Sequence, residues 1–405
     1  MRYLAYIKLF YMIFSKKKLP DLAWIERQGL LFVKIAQTFA LRIDFLSPEK
    51  TMHLQKLYTQ ATPVAFDSSQ LKQTLPEELT KAIKQIDEKP IGVASVGQVY
   101  KATLNNGDVV AIKIIKKDVR ESFKKEVKSF KSFIRWMIRF YPKIQKVADP
   151  LGVIEHIETF TLQELDLRNE IKHTKQLKDI KFQYEANFDF STLHFPVYLE
   201  SFCTQDVLVS LFVEGMPVSQ ALKEKVLPKE NMLDIFRWHG FYMFIVGTFH
   251  GDIHPGNIMI NDQGFTLIDT GALSEVSKKI QQGLFEFMKS LSEYDYIACA
   301  RHLNEMAIVS IHGKKYTEFE KDFLKLYDDF AGHPVSKKSL TKQMMHTIKL
   351  GVHAGMTFEK GMFPIIKSLM YLDGIVLMGA PNMELMKEMR TFIHTFEATK
   401  HDVQG

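Results

Sequence analysis

Two carboxylates and one carboxamide stand at spacings that suit magnesium-dependent phosphoryl transfer. Residues 250–257 read HGDIHPGN and place Asp252 and Asn257 five positions apart around Pro255 and Gly256. Residues 264–271 read GFTLIDTG, in which a short apolar run delivers Asp269 at its end. Phosphoryl transfer needs one carboxylate to orient the acceptor or water, and an Asn and an Asp to hold metal on the phosphates. Asp252, Asn257 and Asp269 are the candidates for these two tasks. The 17 positions from Asp252 to Asp269 suit a hairpin turning at residues 261–264, NDQG. Such a hairpin brings both carboxylates to one end of a small sheet.

These residues need a nucleotide, and an upstream stretch has the pattern to bind one. Residues 90–102, PIGVASVGQVYKA, are followed by a turn at residues 105–108, NNGD, and by residues 109–115, VVAIKII. That is strand, hairpin, strand, with small residues where a backbone approaches phosphate closely. Gly92, Ala94 and Gly97 fall at the three glycine spacings of a kinase glycine-rich loop, and Val99 at its adenine-covering valine. Fourteen positions after Val99, Lys113 closes an Ala-Ile-Lys alternation that points a lysine inward from the next strand. The helix expected over residues 155–177 contains QELDLRNEIKH. It places Asp166 and Glu170 four apart on one face, with Glu164 pointing elsewhere. A helix carboxylate of this kind is needed to hold the strand lysine. Residues 207–213, VLVSLFV, read as a buried strand ending at a hinge, Glu214-Gly215, whose backbone would bond the adenine edge.

The elements that must position these residues are partly legible too. The chain has 405 residues, 46% hydrophobic and 25% charged, enough for a large core in two lobes. Its two cysteines, Cys203 and Cys299, lack metal-type spacing and suit a reducing compartment. No run of 18 or more apolar residues occurs, so no transmembrane helix is expected. Residues 1–14 are apolar and aromatic, flanked by lysines, without the uninterrupted core and cleavage site of a signal peptide. They form a helix that either lies in a membrane interface or docks on the protein's own surface. Residues 22–46 have helical spacing around Trp24, Ile25, Leu31, Phe32, Ile35 and Phe39. There Lys34 is a lone charge in an apolar run, which demands a carboxylate partner unless the lysine snorkels to solvent. Residues 54–61 read as another short helix. The net charge of +6 is concentrated in residues 116–146, with eleven Lys or Arg against three acids. This amphipathic basic helix is either a solvated face or one that meets anionic lipid. Nucleic acid is not expected, since no aromatic-basic interleaving beyond this helix supports it. A helix over residues 232–248 leads into the Asp252 loop, and several more fill residues 276–400. His302, His312, His346 and His353 lack ligand-like spacing.

Over roughly residues 20–390 the chain resembles the UbiB (aarF-type) family of atypical kinases. Lys34-Ile-Ala-Gln37 matches the family's KxGQ motif except at Ala36. Gly92-Val-Ala-Ser95 matches its alanine-rich loop except at the first two alanines, and Glu164-Leu-Asp166 matches its ExD motif. Glu170 falls where the lysine-pairing glutamate belongs, and Thr270 stands where a phenylalanine is usual after the metal Asp. The resemblance implies an α+β, bilobal protein-kinase-like fold: a helical extension over residues 1–75, an N-lobe over 76–215 and a C-lobe over 216–405. It also implies that Gly92, Ala94, Ser95, Gly97, Val99 and Lys113 contact ATP, that Asp252 is the catalytic Asp and that Asn257 and Asp269 hold Mg²⁺. By the same match, contact between the ExD motif (Glu164, Asp166) and the KxGQ motif (Lys34, Gln37) is regulatory and supplies the partner that Lys34 needs. The implied role is an atypical kinase or ATPase, cytoplasmic and peripheral at an anionic membrane. It would serve ubiquinone-type isoprenoid-lipid metabolism beside that pathway's proteins. Two alternatives stand: a small-molecule phosphotransferase of the aminoglycoside or choline kinase type, which shares HGDxHxGN, and a pseudokinase scaffold. A protease reading of LIDTGA, residues 267–272, fails because the paired carboxylates it requires have no second Asp-Thr-Gly or Asp-Ser-Gly in the chain.

Overall fold

The computed structural model describes residues 2–15, 18–40, 46, 48–58, 71, 74–93, 96–115, 118–140, 150–359 and 362–404. The fold is α+β and kinase-like. The chain divides into two compact units: residues 1–171 with 197–212, and residues 172–196 with 213–405. Residues 1–75, expected as a separate extension, group with the first unit. Residues 172–196, expected in the first lobe, group with the second.

The first unit contains an antiparallel sheet in which Ile83–Ile86, Gly97–Leu104, Val109–Ile115 and Val207–Leu211 lie side by side, with Gly92–Val93 also on Gly97–Leu104. Alternation sends Val110, Ile112 and Ile114 into a core with Tyr100, Ala102, Leu104, Val207 and Val209. Lys113 therefore faces the other side, opposite Val99 in the ladder. The turn at residues 105–108 closes through the Leu104 amide on the Asp108 carbonyl, with Gly107 at φ +93°.

A second core in this unit is built from helices. Tyr6, Phe32, Phe123, Phe130 and Phe133 bury their rings together, the Tyr6 and Phe130 centroids 4.7 Å apart. The N-terminal helix Arg2–Phe14 docks through Tyr6, Leu9 and Ile13, while Leu4, Ile7, Tyr11 and Phe14 stay exposed on its other side. Own-surface docking thus accounts for one face only. Lys50 is buried and donates to the carbonyls of Met12, Ile13 and Ser15. It satisfies the last carbonyls of that helix.

Within the helix expected over residues 22–46 the described residues form two helices, Leu22–Gln28 and Leu30–Ala40, broken at Gly29 with φ +115°; residues 41–45 lie outside those described. A side chain at 29 would overlap the Glu126 carboxylate. That buried carboxylate accepts the Leu31 amide at 3.1 Å and so caps the second helix from outside. Residues 54–61 hold the end of helix Pro48–Gln55 and a single 3₁₀ turn, Lys56–Tyr58; residues 59–61 lie outside those described. In the basic stretch the described helix is Val119–Phe140.

Burial raises the pKa of Glu126, opposed only in part by the Leu31 amide and the Arg2 charge. The folded chain therefore holds this proton more tightly than the unfolded chain does. The contribution is fully present below the unfolded pKa, about 4.3, and is lost as pH rises through the folded value. Glu126→Gln keeps an acceptor for Leu31 and cannot ionise. It is expected to melt above the wild type at pH 8, with the gap closing towards pH 4, as read by thermal denaturation across that range.

In the second unit, helix Lys229–Gly240 runs into a π-helical turn, Phe241–Val246, and stops at Gly247, φ +81°. The strand Thr248–His250 follows and pairs with Leu273–Glu275. The expected hairpin is present: Ile258–Asn261 pairs with Gly264–Leu267, Asn261 opposite Gly264. Gly264 has φ +123°, and a Cβ there would overlap the Thr192 carbonyl. Among the described residues, six helices follow: Lys278–Ser292, Tyr296–Met306, Lys314–Tyr327, Leu340–Ala354, Met362–Gly379 and Leu385–Gln404. Their Phe and Met side chains, such as Phe285, Met288, Phe323 and Met389, fill its interior. Among the described residues no helix is long and apolar enough to cross a membrane.

Candidate active site

In the first unit the expected lysine has its carboxylate. The Lys113 ammonium forms an ion pair with Glu170, whose side chain is 4% exposed. The helix-face argument behind that expectation needs correction, because residues 155–177 do not form one helix. Pro150–Glu164 ends, Leu165 and Leu167 turn inward at 0% and 1% exposure, and Arg168–Tyr184 begins. Asp166 sits in this break and is not four residues along a helix from Glu170. It accepts from Arg168 Nη2 at 2.6 Å and Nε at 2.8 Å, and that guanidinium holds its carboxyl below the usual range.

Glu164 points away from Glu170, as expected, and is the residue that pairs with Lys34. Both side chains are mostly buried, 13% and 23% exposed, so Lys34 does not snorkel. Gln37 is buried and donates to the Leu57 carbonyl at 3.0 Å. Of the glycine-loop residues, Gly92 and Val99 are half-buried and Gly97 is buried. A Cβ on Gly97 would run into the Ile114 carbonyl, so close strand approach alone demands glycine there. Ala94 and Ser95 lie outside the described residues.

In the second unit Asp252, Asn257 and Asp269 are knit into one loop system. The Asp252 amide donates to His250 Nδ1 at 2.9 Å, which leaves His250 Nε2 as the donor to the Asp269 carbonyl. The Asn257 side-chain amide donates to the Asp252 carbonyl at 3.2 Å, and the Ile268 amide to the Asn257 carbonyl at 2.9 Å. The Asp269 carboxylate accepts the Gly271 amide at 3.0 Å. His254 folds back to accept the Gly256 amide at 3.0 Å, closing the turn between Asp252 and Asn257. Burial lowers the His254 pKa, the Asp252 charge opposing it.

Three contacts here escaped the sequence reading. Lys367 Nζ lies 3.0 Å from Asp252 Oδ1, with the Lys367 side chain 12% exposed. Burial works against an ionised Asp252, but the Lys367 charge beside it holds the carboxyl below its usual range. Buried Thr270 pairs its hydroxyl with that of Thr174 at 2.6 Å. The carbonyl of Thr270 accepts from His173 Nδ1 at 3.0 Å. Hydrogen bonds to helix Arg168–Tyr184 thus occupy the position of the usual phenylalanine. A lone lysine in an apolar helix was the available signal for Lys367, the same one that singled out Lys34.

The pattern of the ABC1 atypical kinase-like domain matches residues 57–303. The chain belongs to this family. A Vibrio cholerae protein described as "Probable protein kinase UbiB" is 24% identical, the match covering 93% of this chain and 70% of the relative. An Aeromonas salmonicida protein of the same description is 25% identical, over 94% and 72%. A Clostridium pasteurianum protein, "Uncharacterized protein in hydrogenase 1 5'region", is 24% identical, over 96% and 74%. Among solved structures, Rv3197 of Mycobacterium tuberculosis, determined as an erythromycin complex, superposes with a TM-score of 0.50. The match has 18% identity and covers 89% of this chain and 90% of that one.

Proposed function

We propose that the protein is an atypical kinase or ATPase that binds Mg-ATP and moves its terminal phosphoryl group. We place it at an anionic membrane surface in support of ubiquinone-type isoprenoid-lipid metabolism. The observation that carries the catalytic part is the hydrogen-bonded set His250, Asp252, Asn257 and Asp269, together with membership of a kinase-like family. Mg²⁺, when bound, neutralises phosphate charge and takes one or two protein ligands beside phosphate oxygens and water. The donor set fits that demand. Asn257 commits its NH₂ to Asp252, which leaves the amide oxygen for a cation, and Asp269 supplies a carboxylate.

The remaining roles belong to the chain's own side chains. Lys113, held by Glu170, contacts phosphate. Gly92, Ala94, Ser95, Gly97 and Val99 line the nucleotide. Asp252 is held ionised and accepts the proton of the attacking hydroxyl or water. Lys34 and Gln37, with Glu164 and Asp166, form the regulatory segment, Lys34 through its pair with Glu164. The membrane part is supported by the exposed row Leu4, Ile7, Tyr11 and Phe14, and by Trp136 and Phe140, both exposed. Lys124, Lys125, Lys128, Arg135 and Arg139 are exposed on the same helix as Trp136. Each cation near an anionic surface contributes about 1 kcal/mol.

The test is ATP hydrolysis by purified protein, with and without phosphatidylglycerol-rich vesicles, beside Asp252→Asn. Turnover stimulated by vesicles and lost in the variant is the expected result. Absence of Mg-ATP binding in either condition rejects the nucleotide reading. Equal rates with no co-sedimentation on vesicles reject the membrane part.

A further inference from the structure

Lys367 does not belong to any motif that led to the site. It lies 115 positions after Asp252, on Met362–Gly379, a helix whose only charged residues are Lys367 and Asp373. Burying an ammonium in such a helix is unfavourable unless a charge meets it, and the carboxylate of Asp252 does so at 3.0 Å. The helix is held so as to aim it. Asp373 accepts from Ser339 Oγ at 2.6 Å and from the Leu340 amide at 3.1 Å, anchoring the start of the neighbouring helix. At the far end, a side chain on Gly379 would overlap Met232, so the helix lies close against Lys229–Gly240. One turn on from Lys367, Tyr371 sets its ring edge-to-face with His254, centroids 5.3 Å apart. Lys367 and Tyr371 thus cover the loop from Asp252 to Asn257 from a single helix face.

We propose that Lys367 is a catalytic residue of the phosphoryl transfer, the cation beside Asp252 that meets the charge of the group in flight. This rests on the phosphotransfer reading above. In the step, the acceptor hydroxyl or water oxygen forms a bond to the terminal phosphorus. The bond from that phosphorus to the bridging oxygen breaks, and ADP departs with the electron pair. The acceptor's proton goes to Asp252. Lys367 orients the Asp252 carboxylate through their contact and stabilises the phosphoryl oxygens. A preorganised donor aimed at charge that develops in the transition state is worth about 10²–10³ in kcat.

The experiment compares wild type, Lys367→Met, which keeps the stem's packing, and Lys367→Arg, which keeps the charge. Expected for Lys367→Met is a kcat lower by about 100-fold, with KM for Mg-ATP and the affinity for Mg-ADP changed less than about twofold. Affinity for Mg-ADP with aluminium fluoride, which mimics the group in flight, should fall with kcat, and Lys367→Arg should recover at least about tenfold of the loss. A purely structural lysine would instead lower Mg-ADP and Mg-ADP–aluminium fluoride affinities alike. That result, or an unchanged kcat in Lys367→Met, overturns the assignment. If Lys367→Met does not fold, Lys367→Gln decides: a kcat loss matched by the aluminium fluoride complex and not by Mg-ADP affinity supports the assignment, and wild-type kcat or a loss shared equally with Mg-ADP affinity overturns it. Wild-type protein that neither binds nor turns over Mg-ATP overturns the parent reading; a working wild type with an indifferent Lys367 overturns this assignment alone.

Discussion

Asp269→Ala is expected to lower Mg-dependent ATP affinity by about 100-fold or more. Loss of an outer-shell partner of a metal ligand typically costs 10- to 100-fold, and a ligand itself belongs at or above the upper end. The loop should survive the change. The contact from His250 goes to the Asp269 carbonyl, which alanine retains, while the Gly271 amide loses its carboxylate acceptor. Asp269→Asn restores an acceptor for Gly271 without the negative charge, and so separates loop geometry from metal binding. Titration calorimetry of ATP with Mg²⁺ and with EDTA reads the effect. Both variants should bind in Mg²⁺ about as poorly as the wild type does in EDTA. Asp252→Asn should behave oppositely, keeping Mg-ATP affinity and losing about 10²–10⁴ in turnover. Undiminished Mg-ATP affinity in Asp269→Ala would remove Asp269 from the metal site.

Lys34→Ala carries the second large effect, and it is one of stability. The Lys34–Glu164 pair is mostly buried, so deletion of the ammonium strands a carboxylate that has little access to water. Breaking a fully buried pair costs about 3–5 kcal/mol, and partial exposure of Glu164 brings the expectation down to about 1–3 kcal/mol. Urea unfolding measures this as a lower midpoint at unchanged slope. Lys34→Met with Glu164→Leu should regain much of the loss, since an apolar pair leaves no charge behind. An unchanged midpoint in Lys34→Ala would show that the pair contributes nothing to the fold.

Where the sequence was readable, a local rule set the structure. NDQG between two apolar runs made the hairpin, and alternation in VVAIKII placed Lys113 on the face away from Val110, Ile112 and Ile114. Family resemblance joined KxGQ to ExD, and Lys34 does meet Glu164. Reading failed where tertiary packing overrode local pattern. Nothing in QELDLRNEIKH stops a helix: it has no Pro and no Gly. The break at residues 165–167 appears because Leu165 and Leu167 both turn into the helical core. That interruption takes Asp166 off the helix and hands it to Arg168, while Glu164, at the end of the preceding helix, meets Lys34. Lys367 was illegible as a partner because its distance from Asp252 in the chain encodes no contact, although its isolation in an apolar helix announced that some partner must exist.

The helix Leu30–Ala40 is gripped by two carboxylates from two different helices, Glu126 at its first turn and Glu164 at Lys34. Neither grip can be relaxed in isolation, because a helix that peels from Glu126 pulls on the Lys34 pair one turn away. The segment therefore opens as a unit. Its amides are expected to share one free energy of opening in hydrogen exchange instead of fraying in sequence from an end.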